Sequence, residues 1–232
     1  MARNSYEVAN AAFAIASLIL TTNLMLAITS LPLLVLAMTT DPTMTWPLIA
    51  VAAVISAPGI PAAYRVFLEH RAGGTGPVRA FARGYRATWR KTLLVALIVV
   101  AVLVVLYVDV HAVARLSFAV VVVPLLWMLA ILSLAAGMLI FVALAEDPKA
   151  RVRRLVRAAL VLSVRRWYLT VVSLLLGVVQ IALFTNIPAL AIGVTASAVL
   201  YLVWANSRYT LRPILPAAQN AAGSPTDSQG LL

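Results

Sequence analysis

The 232-residue chain is 63% hydrophobic and only 11% charged, with a mean hydropathy of +1.02. Soluble domains are about half apolar and about a quarter charged, so a soluble single domain is excluded and hydrocarbon is the expected solvent. The formal charge of +11 must first be read through membrane topology, and the absence of cysteine excludes disulfide frameworks, thiolate metal sites and cysteine nucleophiles.

A helix crosses a hydrocarbon core about 30 Å thick with about 20 apolar residues, so the distances between successive charges locate the spans. Between Glu7 and Asp41 lie 33 uncharged residues, which predict a first span over 8–36. This span and the fourth are longer than a perpendicular crossing needs, and Pro32 and Pro124 mark where a kink or interfacial turn would fall. A basic start and the small residues Ala14-Ile15-Ala16 also suit a cleaved signal peptide, but the apolar run is too long for one and five spans follow. The 23 uncharged residues between Asp41 and Arg65 predict a second span over 45–67. Pro47, Pro58, Gly59 and Pro61 interrupt it, and Pro58-Gly59-Ile60-Pro61 leaves backbone groups that packing against span one, or a cavity, must satisfy.

A first basic segment follows. Arg79, Arg83, Arg86 and Arg90 fall within about 60° on a helical wheel, with Val78, Phe81, Ala82, Tyr85 and Trp89 on the neighbouring face and Pro77 as the first residue. The pattern predicts an amphipathic helix lying at the interface. Gly73-Gly74-Thr75-Gly76 before it supplies a turn; it lacks the strand and the Gly-Lys-Ser/Thr of a phosphate-binding loop. The 17 uncharged residues between Lys91 and Asp109 predict span three over 92–108, and the 30 between Arg115 and Glu146 predict span four over 116–145. In the second basic segment Val152, Leu155, Val156, Ala159 and Leu160 share one face and Lys149, Arg153, Arg154 and Arg157 surround the other, with Pro148 opening the helix behind Glu146-Asp147. Thr88-Trp89-Arg90-Lys91 and Ser163-Val164-Arg165-Arg166 form a faint internal echo between residues 81–95 and 156–170, as in a parallel repeat of span, interfacial helix and span. The 41 uncharged residues between Arg166 and Arg208 predict spans five and six, over 167–184 and 187–207, joined at Thr185-Asn186-Ile187-Pro188. The last stretch, 217–232, reads as a disordered tail.

Of the 18 Lys and Arg residues, 17 fall on one side of this arrangement and Arg115 alone on the other. Basic loops are cytoplasmic, so both termini are expected in the cytoplasm, and nucleic-acid binding loses its support. The expected fold is an all-α polytopic membrane helical bundle. It is a single domain over 1–216, with six transmembrane helices and two cytoplasmic amphipathic interfacial helices facing anionic headgroups or a docking partner.

An ionisable residue in mid-bilayer would mark a functional site by default, and none is predicted. His70 and His111 fall on opposite sides, which argues against a metal pair or proton relay. Arg65 and Glu69, four residues apart, suit an anchoring ion pair. The neutral polar residues Asn10, Thr21, Thr22, Asn23, Thr29, Ser30, Gln180 and Asn206 suit bonds between helices. The functional alternative places Asn23 and Gln180 at a polar cavity beside the broken stretch at Pro58, Gly59 and Pro61. No catalytic, cofactor-binding or metal site is expected.

Several ordered patches carry a family likeness. Asn23-Leu24 through Ser30-Leu31-Pro32, Ala57-Pro58-Gly59-Ile60-Pro61-Ala62-Ala63-Tyr64, Phe81-Ala82-Arg83-Gly84-Tyr85-Arg86 and Trp89-Arg90-Lys91 resemble in order the amino-terminal half of the YesL-like family of bacterial membrane proteins. The likeness continues more weakly through Asp109, Arg165-Arg166 and Ala205-Asn206-Ser207-Arg208-Tyr209. Where such proteins often have a Thr-Gly stretch after the first proline, this chain has Leu33-Leu34-Val35-Leu36. The resemblance implies a small polytopic protein of the bacterial inner membrane associated with carbohydrate uptake, with no catalytic residues to carry over. An oxidoreductase label borne by some relatives finds neither a dinucleotide-binding glycine pattern nor haem or iron–sulfur ligands here. The leading expectation is a non-enzymatic accessory or regulatory component alongside sugar ABC transporter subunits. A small-solute transporter or channel is the alternative. An intramembrane enzyme stands third, since no nucleophile elbow or His-Glu-x-x-His occurs.

Overall fold

The computed structural model describes residues 2–74 and 76–211, with side chains from residue 15 onward and at Phe13. The expected tail over 217–232, Arg212, Thr75 and the side chain of Asn10 lie outside the described residues. The regular structure described is entirely helical. In chain order it comprises α1 (Ala2–Thr29), α2 (Leu31–Thr39), α3 (Pro42–Ser56), α4 (Gly59–Arg71), α5 (Pro77–Val113), α6 (Ala119–Glu146), α7 (Val152–Arg165), α8 (Trp167–Asn186), α9 (Pro188–Leu190), a π-helical turn (Ala191–Thr195) and α10 (Ala196–Leu211).

Five stretches are long and apolar enough to cross a membrane: Pro42–Arg71 taken across its break, α5, α6, α8 and Pro188–Leu211. A sixth is present if Ile15–Thr29 and Leu31–Thr39, bent by 74°, count as one span. The bend falls at Ser30, just ahead of Pro32. A proline there has no N–H to donate and its ring would meet the carbonyl four residues back, so α1 cannot run straight through. Pro124 and Pro47, also expected to interrupt their spans, sit inside unbroken α6 and α3. At the start of α3, Asp41 accepts hydrogen bonds from the Thr43 N–H and hydroxyl, both at 2.8 Å. These bonds hold its carboxyl below the usual carboxylate range.

The joint between α3 and α4 is closed by packing. Across it Ala57 N–H bonds to Val54 O (3.3 Å), Ile60 N–H to Ala57 O (3.0 Å) and Ala62 N–H to Pro58 O (3.4 Å), so short-range bonds recover the backbone groups that the two prolines would orphan. Pro58 and Pro61 are fully buried. A Cβ on Gly59 would lie 2.5 Å from Thr29 Oγ1, so the absence of a side chain brings α4 against the end of α1.

The first basic segment and the third span form one continuous helix of 37 residues, α5. No proline interrupts it after Pro77, and Arg, Ala, Lys and Leu carry helical propensity through the point where a separate interfacial helix would have ended. Its buried face also differs from the aromatic face read from the wheel. Ala80, Phe81, Gly84, Thr88, Thr92, Val95 and Ala96 are buried, while Val78, Ala82 and Trp89 are exposed. Small residues let α4 and α5 approach closely: a Cβ on Gly84 would come 2.8 Å from Arg65 Cβ and 3.2 Å from Ala62 Cα.

Helix α7 begins at Val152, behind Arg151, and not at Pro148. Its buried face, Leu155, Ala159 and Leu162, joins a core built around Tyr64, Phe67, Val142, Leu144 and Trp204. The internal echo is not geometrically repeated: Thr88–Lys91 runs straight on into its span, whereas the second copy breaks at Arg166 (φ −117°, ψ 45°) before α8. On α8 Ser173 alone is buried, and apolar side chains such as Val178 and Ile181 are more than half exposed. A soluble monomer does not carry such a surface; hydrocarbon accommodates it.

Gly84→Val places a branched side chain into the α4–α5 contact and is expected to destabilise the bundle by about 1–3 kcal/mol. Thermal unfolding of the detergent-solubilised protein, with the exposed Ala82→Val as the propensity control, measures it.

Candidate functional site

Inside the bundle, the polar side chains converge on the π-helical turn. In an unbroken α-helix the Ser197 N–H would bond to the Gly193 carbonyl. Here the Asn23 amide stands between them: its Nδ2 donates to Gly193 O at 2.8 Å and its Oδ1 accepts from the Ser197 N–H at 2.7 Å. A side-chain amide has thus replaced one rung of the helical ladder, and it joins α1 to the Pro188–Leu211 stretch in doing so. Asn23 and Ser197 are both buried, and the Ser197 hydroxyl reaches Ile19 O at 3.4 Å. From the other side, Gln180 Nε2 donates to Ala191 O at 3.0 Å while its Oε1 accepts from the Thr195 hydroxyl at 3.0 Å. The Ala191 carbonyl also receives the Ala196 N–H, the bond that defines the wider turn. Further along α10, Asn206 Nδ2 donates to Leu169 O (2.6 Å) and Ser173 Oγ (2.7 Å).

The second polar cluster lies at one end of the bundle. Glu69, 10% exposed by its side chain, receives Arg65 Nε at 3.1 Å and Arg83 Nη1 at 3.3 Å, tying α4 to α5. Arg65 Nη1 goes on to donate to Ala145 O at 3.2 Å. Lys91 Nζ donates to the carbonyls of Pro148 and Ala150 at 2.7 and 2.9 Å, fastening the loop between α6 and α7 onto α5. Arg208 Nε lies 3.1 Å from Glu146 Oε1. The fully buried Trp204 takes the guanidinium groups of Arg208 and Arg71 within 5.3 and 5.8 Å of its ring centroid. Arg166 donates to Tyr209 O at 2.8 Å and stacks on that ring. A crevice of about 120 Å³ lies beside this network, lined by Arg65, Arg83, Thr88, Ala145 and Pro148.

The two groups of residues singled out from the sequence therefore have different fates. Asn23 and Gln180 meet at the same helical turn, where their amides are engaged with the backbone. Pro58, Gly59 and Pro61 form the packed joint between α3 and α4 and meet neither of them. Arg79, Arg83, Arg86 and Arg90 are exposed along α5, and Arg153, Arg154 and Arg157 are exposed along α7. Sequence reasoning foresaw the Arg65–Glu69 pair but missed Arg83 as its third member, the Lys91 clamp and the π turn. Gly193 and Ser197 carry no pattern that distinguishes them from any small residues in an apolar helix. Among the described residues no three His, Asp or Glu side chains lie together as a metal site would require.

Residues 10–110 match a family described as protein of unknown function, DUF624. The matched stretch runs from within α1 to the last turn of α5, so it takes in Asn23, the α3–α4 joint and the Glu69 cluster. No curated protein and no solved structure matches the chain.

Asn23→Leu leaves a carbonyl and an N–H facing each other without the bridging amide and is expected to destabilise the bundle by about 1–3 kcal/mol. Gln180→Leu is expected to cost less, because Thr195 retains its bond to Ala191 O. Unfolding curves of the two variants in detergent give the comparison.

Proposed function

We propose that this protein is a non-enzymatic accessory or regulatory component of the bacterial cell membrane, of the YesL-like kind, that associates with sugar ABC transporter subunits. In this reading its basic end and both termini face the cytoplasm.

The observation that carries the reading is the length of α5. Its 37 residues extend about 55 Å at 1.5 Å each, against a hydrocarbon core of about 30 Å. Even at a tilt of about 40° the helix covers about 42 Å of depth, so one end projects past the hydrocarbon core. The projecting end is the one that bears Arg79, Arg83, Arg86 and Arg90. Its inner face is already held by α4, which leaves the arginines as a rigid, solvent-facing ridge. A pre-ordered basic ridge suits docking on an acidic protein surface, since little side-chain and backbone freedom remains to be lost on binding. The crevice beside Arg65 and Arg83 adds a recess at the foot of the ridge.

Association with carbohydrate uptake is supported by the YesL-like resemblance of the patches in α1, α4 and α5, and the stretch that matches the family of unknown function contains the same helices. The cytoplasmic orientation is supported by the gathering of basic residues at one end of the bundle. A small-solute transporter or channel draws no support from Asn23 and Gln180, whose amides are occupied by backbone partners.

Affinity purification of the full chain in mild detergent is expected to recover transporter subunits. An Arg79→Gln, Arg86→Gln, Arg90→Gln triple variant, which spares the Glu69 partners, should lose most of that recovery. Repeated recovery of no transporter subunit by the unaltered protein rejects the reading. Reporter fusions or cysteine accessibility should place Arg83 and Arg154 on one side and Arg115 on the other.

A further inference from the structure

We infer that the flank formed by α5, α6 and α7 is a binding site for one anionic phospholipid of the leaflet at the basic end, with an acyl chain in an apolar groove and the headgroup against α7. The groove has a volume of about 300 Å³. Its walls run from Val95 to Leu106 on α5 and from Leu129 to Ile140 on α6, and Val156 and Leu160 of α7 cover one end. Ser133 is the polar side chain along it.

Three observations select the occupant. First, depth: Lys91, bonded to the Pro148 and Ala150 carbonyls, marks the polar boundary at the basic end, and the groove begins at Val95, one helical turn further in. Second, length: from Val95 to Leu106 α5 rises about 16 Å, and one leaflet of a hydrocarbon core about 30 Å thick is about 15 Å deep, so the groove matches the reach of a single acyl chain. Third, charge: Arg153 stands about 60° around α7 from Val156 and Arg157 about 60° from Leu160, and both are exposed, which puts two guanidinium groups beside the α7 end of the groove. Guanidinium groups bind phosphate through paired donors, and a net negative headgroup gains from both. A partner helix would need an extended unpaired face. The groove is instead capped at its basic end by Val156 and Leu160 of α7, so a chain lying in it passes beside α7 to reach a headgroup position at Arg153 and Arg157.

The site rests on the proposed orientation of the basic end toward an anionic leaflet, but its test is made on isolated protein, so failed transporter recovery and failed lipid retention are separate results. The full chain is delipidated in detergent, given phosphatidylglycerol or phosphatidylcholine with identical acyl chains, and examined by native mass spectrometry for one-to-one adducts. Phosphatidylglycerol is expected to be retained about tenfold better, as two arginines near an anionic headgroup provide. Arg153→Gln with Arg157→Gln should abolish that preference while leaving phosphatidylcholine retention unchanged. Val102→Trp on one wall and Ser133→Phe on the other should each lower retention of both lipids. Equal retention of the two lipids by the unaltered protein overturns the proposal. So does an undiminished preference in the arginine variant, or unchanged retention in a wall variant that stays monodisperse. The lipid comparison and the surface arginine variant decide the matter even where a wall variant fails to fold.

Discussion

In hydrocarbon no water is available to satisfy a peptide group, and the architecture of this chain follows from that constraint. Two departures from straight helix, at the α3–α4 joint and at the π turn, are compensated within the protein. At the α3–α4 joint, short-range backbone bonds and the contact between Gly59 and Thr29 accommodate two prolines. At the π turn, the Asn23 amide takes the place of the missing rung between Gly193 and Ser197, while Gln180 and Thr195 gather at the Ala191 carbonyl. These side chains are polar for the same reason that a soluble core is apolar: they supply partners where the solvent does not.

The same bonds determine which helices are neighbours. Asn23 links α1 to the π turn, Gln180 links α8 to it, and Asn206 returns from α10 to α8. Apolar packing discriminates little between one lipid-exposed helix and another, because lipid tails and leucine side chains offer similar contacts. A two-pronged amide bond is directional and specifies register. At the basic end ionic contacts do the corresponding work. Glu69 unites α4 with α5, Lys91 holds the α6–α7 loop to α5, and Glu146 meets Arg208 beside Trp204. Charged groups there sit where solvent screens their cost, yet several are sufficiently buried to be held in one geometry.

The order of the apolar stretches, five with a sixth if the bent pair at Ser30 counts as one, was legible because the interval between charges is a direct measure of how much chain hydrocarbon can hold. The kink ahead of Pro32 and the turn at Asn186-Ile187-Pro188 were legible because proline removes a donor and fixes its own backbone angle. The boundary inside α5 was not. The change from Arg-rich to Val-rich composition at Lys91 marks a change of solvent, not of conformation, and a helix passes through it without interruption. Likewise the wheel identified a basic face and an aromatic face beside it, but the aromatic face is divided, with Phe81 buried in the bundle and Val78, Ala82 and Trp89 exposed. The close approach of α4 selects small residues, Ala80, Gly84 and Thr88, over the bulkier Val78 and Trp89.

By itself, the amino-acid sequence determined that this chain lives in a membrane, that its apolar stretches follow in this order, and that its arginines lie in the segments between them, because each of these depends on the transfer of single residues between water and hydrocarbon. Only the tertiary structure decided that Asn23 and Gln180 serve one helical turn, that Glu69 holds two arginines, and that α5 is one continuous helix. The Asn23 bond joins residues 170 positions apart and the Glu69–Arg83 pair joins two helices, and nothing local in an apolar helix encodes the identity of its neighbour.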